Sequence, residues 1–155
     1  MIILGIGNEL KYDDGVGPFI ISELNKLNLN ENVLLINAQT VPENFTGKIR
    51  KENPSHIILI DACLMGLNPG DYKIVNEDDF VNIGISTHSM SLSYFVKFLN
   101  QDNILFIGIE PELLELIDQD SLGSLDKDLM DFQGELTENV KRSASEIIEI
   151  FGELL

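Results

Sequence analysis

Three segments of the chain carry residues able to do chemistry, and each stands beside an apolar run. GIGNELKYDDGVG, over residues 5–17, brings Asp13 and Asp14. HIILIDA, over residues 56–62, ends the apolar run Ile57–Ile60 with Asp61. STHSMSLS, over residues 86–93, brings His88. Asp14, Asp61 and His88 together make a set of two carboxylates and one imidazole. Three such ligands with open positions suit a borderline or hard divalent ion that must also accept water or a substrate group. The set contains no thiolate, which argues against a closed structural zinc site.

Each residue also has a plainer reading. An acid opening a helix caps free N–H groups and favours the helix dipole, a role that fits Asp13, although Asp13 is also a candidate base. Asp61 at the end of a buried strand is costly without a partner, or it serves the turn before Gly66. A single histidine ahead of a helix is more often structural, and His56, after Pro54-Ser55, reads as a surface residue. Cys63 as a nucleophile with His88 as its base competes with a small buried thiol in the apolar context Ala62–Met65.

The glycine loop does not read as a nucleotide site. Leu10 stands where the dinucleotide fingerprint has its third glycine, and the second strand ends in Asn37-Ala38 where an acid would hold the ribose. The Walker A lysine and hydroxyl are missing as well. Gly5 and Gly7 are instead read as permitting a tight turn and a close backbone approach.

Strand and helix signals alternate, which predicts an α/β fold: three layers, α/β/α, with a twisted, mostly parallel sheet of about five strands. Met1–Gly7 is a first strand. Asp14–Leu27 is a helix with Val16, Phe19, Ile20, Leu24 and Leu27 at helical spacing. Asn32–Ala38 is the second strand, Ile57–Ile60 a central strand buried on both faces, and Tyr72–Val75, after a turn at Gly66–Gly70, a short edge strand. Thr87 or Ser89 caps a helix carrying Leu92, Phe95, Val96 and Leu99, and Ile104–Ile109 is the last strand. The acid-rich stretch Asp118–Asp131 reads as a loop or ragged helix. The final helix, Leu136–Leu154, buries Val140, Ile147, Ile148 and Phe151. No repeat or linker divides residues 1–155, so they form a single domain. In such a sheet ligands bind beyond the carboxyl ends of the strands, where all three chemical segments are delivered.

Composition narrows the function classes. Twenty-six acidic residues against ten basic ones give a net charge of −16, which repels phosphate backbones and disfavours nucleic acid. Solvation of the surface accounts for such acidity, and a partner with a basic tail also fits it. No run approaches the roughly 18–20 apolar residues of a membrane span. The start, MIILGIGNEL, lacks a basic region and reads as a buried strand rather than a signal peptide. The lone Cys63 excludes an internal disulfide and points to a reducing cytoplasm.

Taken in order, GIGNELKYDDGVG, TVPENFTGKI, IILIDACLMGLNPGDY and STHSMSLSYF resemble the successive motifs of hydrogenase maturation endopeptidases. The PENFTGKI segment and the SLS after His88 resemble the subgroup that processes large subunits of hydrogenase-3-like and coenzyme F420-reducing enzymes. FIGIEPELLEL is similar to its last strand and following loop, so the resemblance runs from residue 1 to about residue 117. It implies a twisted five-stranded sheet and a site in which Asp14, Asp61 and His88 are both the metal ligands and the catalytic set. Some relatives have glutamate in place of Asp14, so the ligand here is one methylene shorter. The implied activity is one cleavage that removes the C-terminal extension of a NiFe-hydrogenase large-subunit precursor after nickel insertion. Nickel then comes with the precursor, other divalent ions can substitute in the free protein, and the family precedent is a monomer. The family is sometimes grouped with aspartic peptidases, yet the chain shows nothing like their paired Asp-Thr-Gly loops. The rival readings are a non-catalytic chaperone that holds nickel or precursor, and a hydrolase built on Cys63.

Overall fold

Ile2–Ile6 is apolar, rich in β-branched residues and buried at every position, and it forms strand β1. The computed structural model describes residues 1–76, 89–99, 103–114 and 135–155. Helix α1 (Val16–Leu24) follows β1, then strand β2 (Leu34–Gln39), helix α2 (Thr46–Glu52), strand β3 (Ile57–Ala62) and strand β4 (Tyr72–Asn76). Helix α3 (Ser89–Leu99), strand β5 (Ile104–Ile109) and helix α4 (Glu138–Leu154) complete the described elements. The five strands form one sheet in the order β2-β1-β3-β5-β4. Pairs β1–β2, β1–β3 and β3–β5 are parallel, and β4 runs antiparallel along the edge beside β5.

Alternation along the strands splits the core into two layers. Ile3, Ile58, Ile60 and Ile109 point to the face covered by Val16, Ile20 and Leu24 of α1 and by Val140, Ala144 and Phe151 of α4. Leu4, Leu59, Cys63 and Phe106 point to the other face, covered by Ile49 of α2 and by Phe95, Val96 and Leu99 of α3. The architecture is the expected three-layer α/β/α sandwich. The β3 segment is central and fully buried, as its uninterrupted apolar run requires.

Several boundaries differ from the sequence reading, each for a local reason. The first helix was expected from Asp14, but Tyr12–Gly15 forms a 3-10 turn and the α-helix begins at Val16. It ends at Leu24, so Leu27 falls beyond it and is exposed. The segment Pro42–Lys51, given no element from sequence, holds a 3-10 turn (Pro42–Phe45) and α2; Pro42 opens the turn, and a left-handed Asn53 stops the helix. Ile148 is only half-buried, because Ser143 and Ala144 share the inner face of α4 with Val140, Ile147 and Phe151. The Asp118–Asp131 stretch lies outside the described residues. No described helix is long and apolar enough to cross a membrane.

Candidate functional site

The sheet order reverses direction between β1 and β3, and the crevice at such a switch point, outside the carboxyl ends of the strands, is where open α/β sheets bind ligands. Asp14 follows β1 and Asp61 is the last residue but one of β3, so the two carboxylates flank that point. The 3-10 turn holding Asp14 packs directly against β3. Both side chains are buried, Asp14 at 4% and Asp61 at 0% exposure, which is uncommon for ionisable groups and marks the edge as built rather than incidental.

Glycines bring these elements close. Gly7 lies at φ +133°, open to glycine and strained for other residues, and a Cβ there would sit 1.8 Å from the carbonyl oxygen of Asp14. The Asn8 amide then donates to the Asp14 carbonyl and to Asp14 Oδ2, both at 3.1 Å, closing the loop on the candidate ligand. At the second residue of α1, a Cβ on Gly17 would fall 2.3 Å from the Ile6 carbonyl and 2.5 Å from that of Ile60. The close approach expected of Gly5 and Gly7 is therefore to the chain's own backbone, at Gly17 and Asp14.

Asp61 pairs in register with Gly108 of β5, and the place a Cβ would take on that glycine is already filled by Phe106, Met65 and Cys63, at 2.8, 3.1 and 3.2 Å. By alternation its side chain faces the α2–α3 layer. Helix α3 leads into the amino end of β5, so its first turn, at Ser89, lies toward the same carboxyl edge. His88 immediately precedes that helix and lies outside the described residues. Among the described residues no cluster of three or more His, Cys, Asp or Glu is gathered closely enough to hold a metal. A cleft of about 400 Å³ opens beside the site, lined by Glu9, Gly15, Phe19, Leu136 and Lys141 among others, but neither Asp14 nor Asp61 faces it.

Asp13 does not cap its own helix. Gly15 is the N-cap of α1 and no side chain caps it, whereas the Asp13 carboxylate is fully buried under other segments. Its Oδ2 accepts the amides of Glu112 (2.9 Å) and Leu113 (2.8 Å). Its Oδ1 accepts the Thr137 amide at 2.7 Å, and the Thr137 hydroxyl lies 3.0 Å from both oxygens. Thr137 is the N-cap of α4, so a negative charge here also favours that helix dipole.

Sequence reasoning missed Glu110, which is 6% exposed directly after β5. Its Oε2 accepts the amides of Met65 (2.6 Å) and Leu67 (3.2 Å), holding the loop that follows Asp61. The signal was present: Glu110 ends an apolar strand as Asp61 does. Cys63 is 0% exposed, and burial, with the carboxylates of Asp61 and Glu110 nearby, pushes its thiol up to about 12. At neutral pH such a thiol is a poor nucleophile, which counts against a hydrolase built on it. His56 is exposed, as expected.

Fold and site define a class: an α/β protein with buried carboxylates gathered at the switch point of a parallel sheet. Residues 18–153 match the HycI family of hydrogenase maturation proteases, and the chain belongs to that family. The match spans Asp61 and His88, while Asp14 stands four residues ahead of it. A Methanocaldococcus jannaschii protein provisionally named a hydrogenase maturation protease is 39% identical over 126 residues, 74% of each chain. The hydrogenase 3 maturation protease of Escherichia coli is 34% identical over 116 residues, 73% of this chain and 74% of the relative. The crystal structure of the NiFe-hydrogenase maturation protease HycI of Thermococcus kodakarensis superposes with a TM-score of 0.75 at 26% identity, covering 99% of this chain and 90% of that one. The chain is thus a peptidase of hydrogenase maturation.

Proposed function

We propose that the protein removes the C-terminal extension of a NiFe-hydrogenase large-subunit precursor once nickel has been inserted, and that Asp14, Asp61 and His88 recognise the bound nickel. The observation that carries this reading is the pair of buried carboxylates at one sheet edge, Asp14 in the 3-10 turn that packs against β3 and Asp61 near the end of β3, in a chain of this family. Nickel is part of the substrate here, held by precursor thiolates, and supplies a Lewis acid at the scissile segment. Two carboxylates and one imidazole provide oxygen and nitrogen donors that complement such an ion. A precursor without nickel gives these residues nothing to bind, so cleavage waits for metal insertion. The carboxyl edge is the surface that the precursor tail must reach.

The test is the mass of a nickel-loaded precursor before and after addition of this protein, with a nickel-free precursor alongside. Loss of one C-terminal peptide from the loaded form alone is expected. A stable complex with no loss of mass would instead make the protein a maturation chaperone.

A further inference from the structure

Asp13 and Glu110 converge on one short stretch of chain. Glu110 Oε2 takes the Met65 and Leu67 amides from the loop after Asp61, and the amides of Glu112 and Leu113 donate to Asp13, the neighbour of Asp14. The main chain adds to this: the Asp13 amide donates to the Leu113 carbonyl at 3.1 Å, and the Gly70 amide to the Glu110 carbonyl at 2.8 Å. The two candidate ligand loops are thus tied to the same four residues, 110–113, beyond β5. We infer that Asp13 and Glu110 are positioning residues that brace the Asp14 turn and the loop that follows Asp61 on segment 110–113 and fix the spacing of the two carboxylates.

The inference rests on the reading of Asp14 and Asp61 as the groups that meet the substrate. It also sets aside Asp13 as a base. Both its oxygens are occupied by donors from segments 99 to 124 residues away in sequence, and the side chain is fully buried. The hydrogen-bond pattern separates the two acids. Asparagine at 13 turns an NH2 group toward main-chain donors, because both carboxylate oxygens accept. Glutamine at 110 keeps an oxygen for both bonds, since Oε2 alone receives them.

The experiment uses the full chain at a temperature where circular dichroism shows each variant folded. It measures kcat and KM on the nickel-loaded precursor, and hydrogen exchange at the Asn8 amide, which donates to both the carbonyl and Oδ2 of Asp14 and so reports how firmly that turn is held. Asp13→Asn is expected to lower kcat about 10²-fold with little change in KM, the cost of a displaced reacting group, and to speed Asn8 exchange about ten-fold. Glu110→Ala is expected to lower kcat by a similar factor, and Glu110→Gln far less. Should Asp13→Asn fail to fold, Thr137→Val, which deletes only the hydroxyl bond, is expected to act in the same direction with smaller amplitude, and Thr137→Ser to reverse it. Unchanged kcat and Asn8 exchange in folded Asp13→Asn, or in Thr137→Val in its place, would overturn the brace. Equal damage from Gln and Ala at position 110 would overturn the role given to Glu110. If the parent protein leaves the precursor uncut, the function proposed above fails, while Asn8 exchange still decides the Asp13 arm of the brace.

Discussion

The amide of Asn8 lies 3.1 Å from both the carbonyl oxygen and Oδ2 of Asp14, so one donor fixes main chain and side chain together. This is a local bond across six residues, and Gly7 makes it possible by admitting the Asp14 carbonyl where a Cβ would stand. The candidate ligand is therefore held before any substrate arrives. Such preorganisation is what a site needs if its donors are to meet an ion already bound elsewhere.

Asp14→Asn and Asp61→Asn keep the side-chain shape and remove the charge, and His88→Ala removes the third donor. Each is expected to lower processing of the nickel-loaded precursor about 10²-fold or more, while far-ultraviolet circular dichroism stays that of the parent. Gel mobility of the precursor after a timed reaction reads the first, and full activity in all three variants would remove the site assignment.

Cys63 is expected to be dispensable. Cys63→Ala should retain processing, and iodoacetamide should label the native thiol only slowly at pH 7–8, because a thiol pushed up to about 12 holds almost no thiolate there. Denaturing the chain should restore rapid labelling. Intact-mass measurement of the labelled fraction decides it, and fast native labelling accompanied by loss of processing would favour the thiol hydrolase.

Gly17→Ala is expected to be among the most damaging small substitutions. The added methyl meets two carbonyl oxygens of β1 and β3 at 2.3 and 2.5 Å, and neither strand can retreat without disturbing the sheet centre. Overpacking of this kind costs about 3 kcal/mol. For a chain of this size that is a fall of roughly 6–12 °C in melting temperature, readable by calorimetry.

Arg50→Ala serves as the contrast. The Arg50 guanidinium lies 5.1 Å from the centre of the Phe98 ring and donates to the Phe98 carbonyl, joining α2 to α3 at the amino edge of the sheet. An exposed cation–π contact contributes about 0.5–1 kcal/mol, so a small drop in the urea midpoint is expected. Processing should be unaffected, since the carboxyl edge is untouched.

Much of this was legible in the chain because the signals are local. The period of apolar residues gave the α/β alternation, the unbroken run Ile57–Ile60 gave a central strand, and Ile104–Ile109 formed as expected. Asp61 stood out because a charged residue ending an apolar strand needs a reason, and Asp14 because it opens a helix at the same edge of the sheet. The same signal at Glu110 passed unread, and it marks the residue whose carboxylate holds the Asp61 loop. The exchange of α1's first turn for a 3-10 turn was not legible either, because it follows from packing Gly17 onto two strand ends rather than from propensity.

The sequence by itself determined the layers, the strand set and the acids available at the carboxyl edge, since hydrophobic period and residue type act over a few neighbours. Only the tertiary structure decided what those acids do. Asp13 reads as a helix cap when only its neighbours are considered, yet its partners are Glu112, Leu113 and Thr137, about a hundred residues or more along the chain. A buried carboxylate takes whichever donors the packed fold brings within 3 Å, and sequence spacing does not encode that choice.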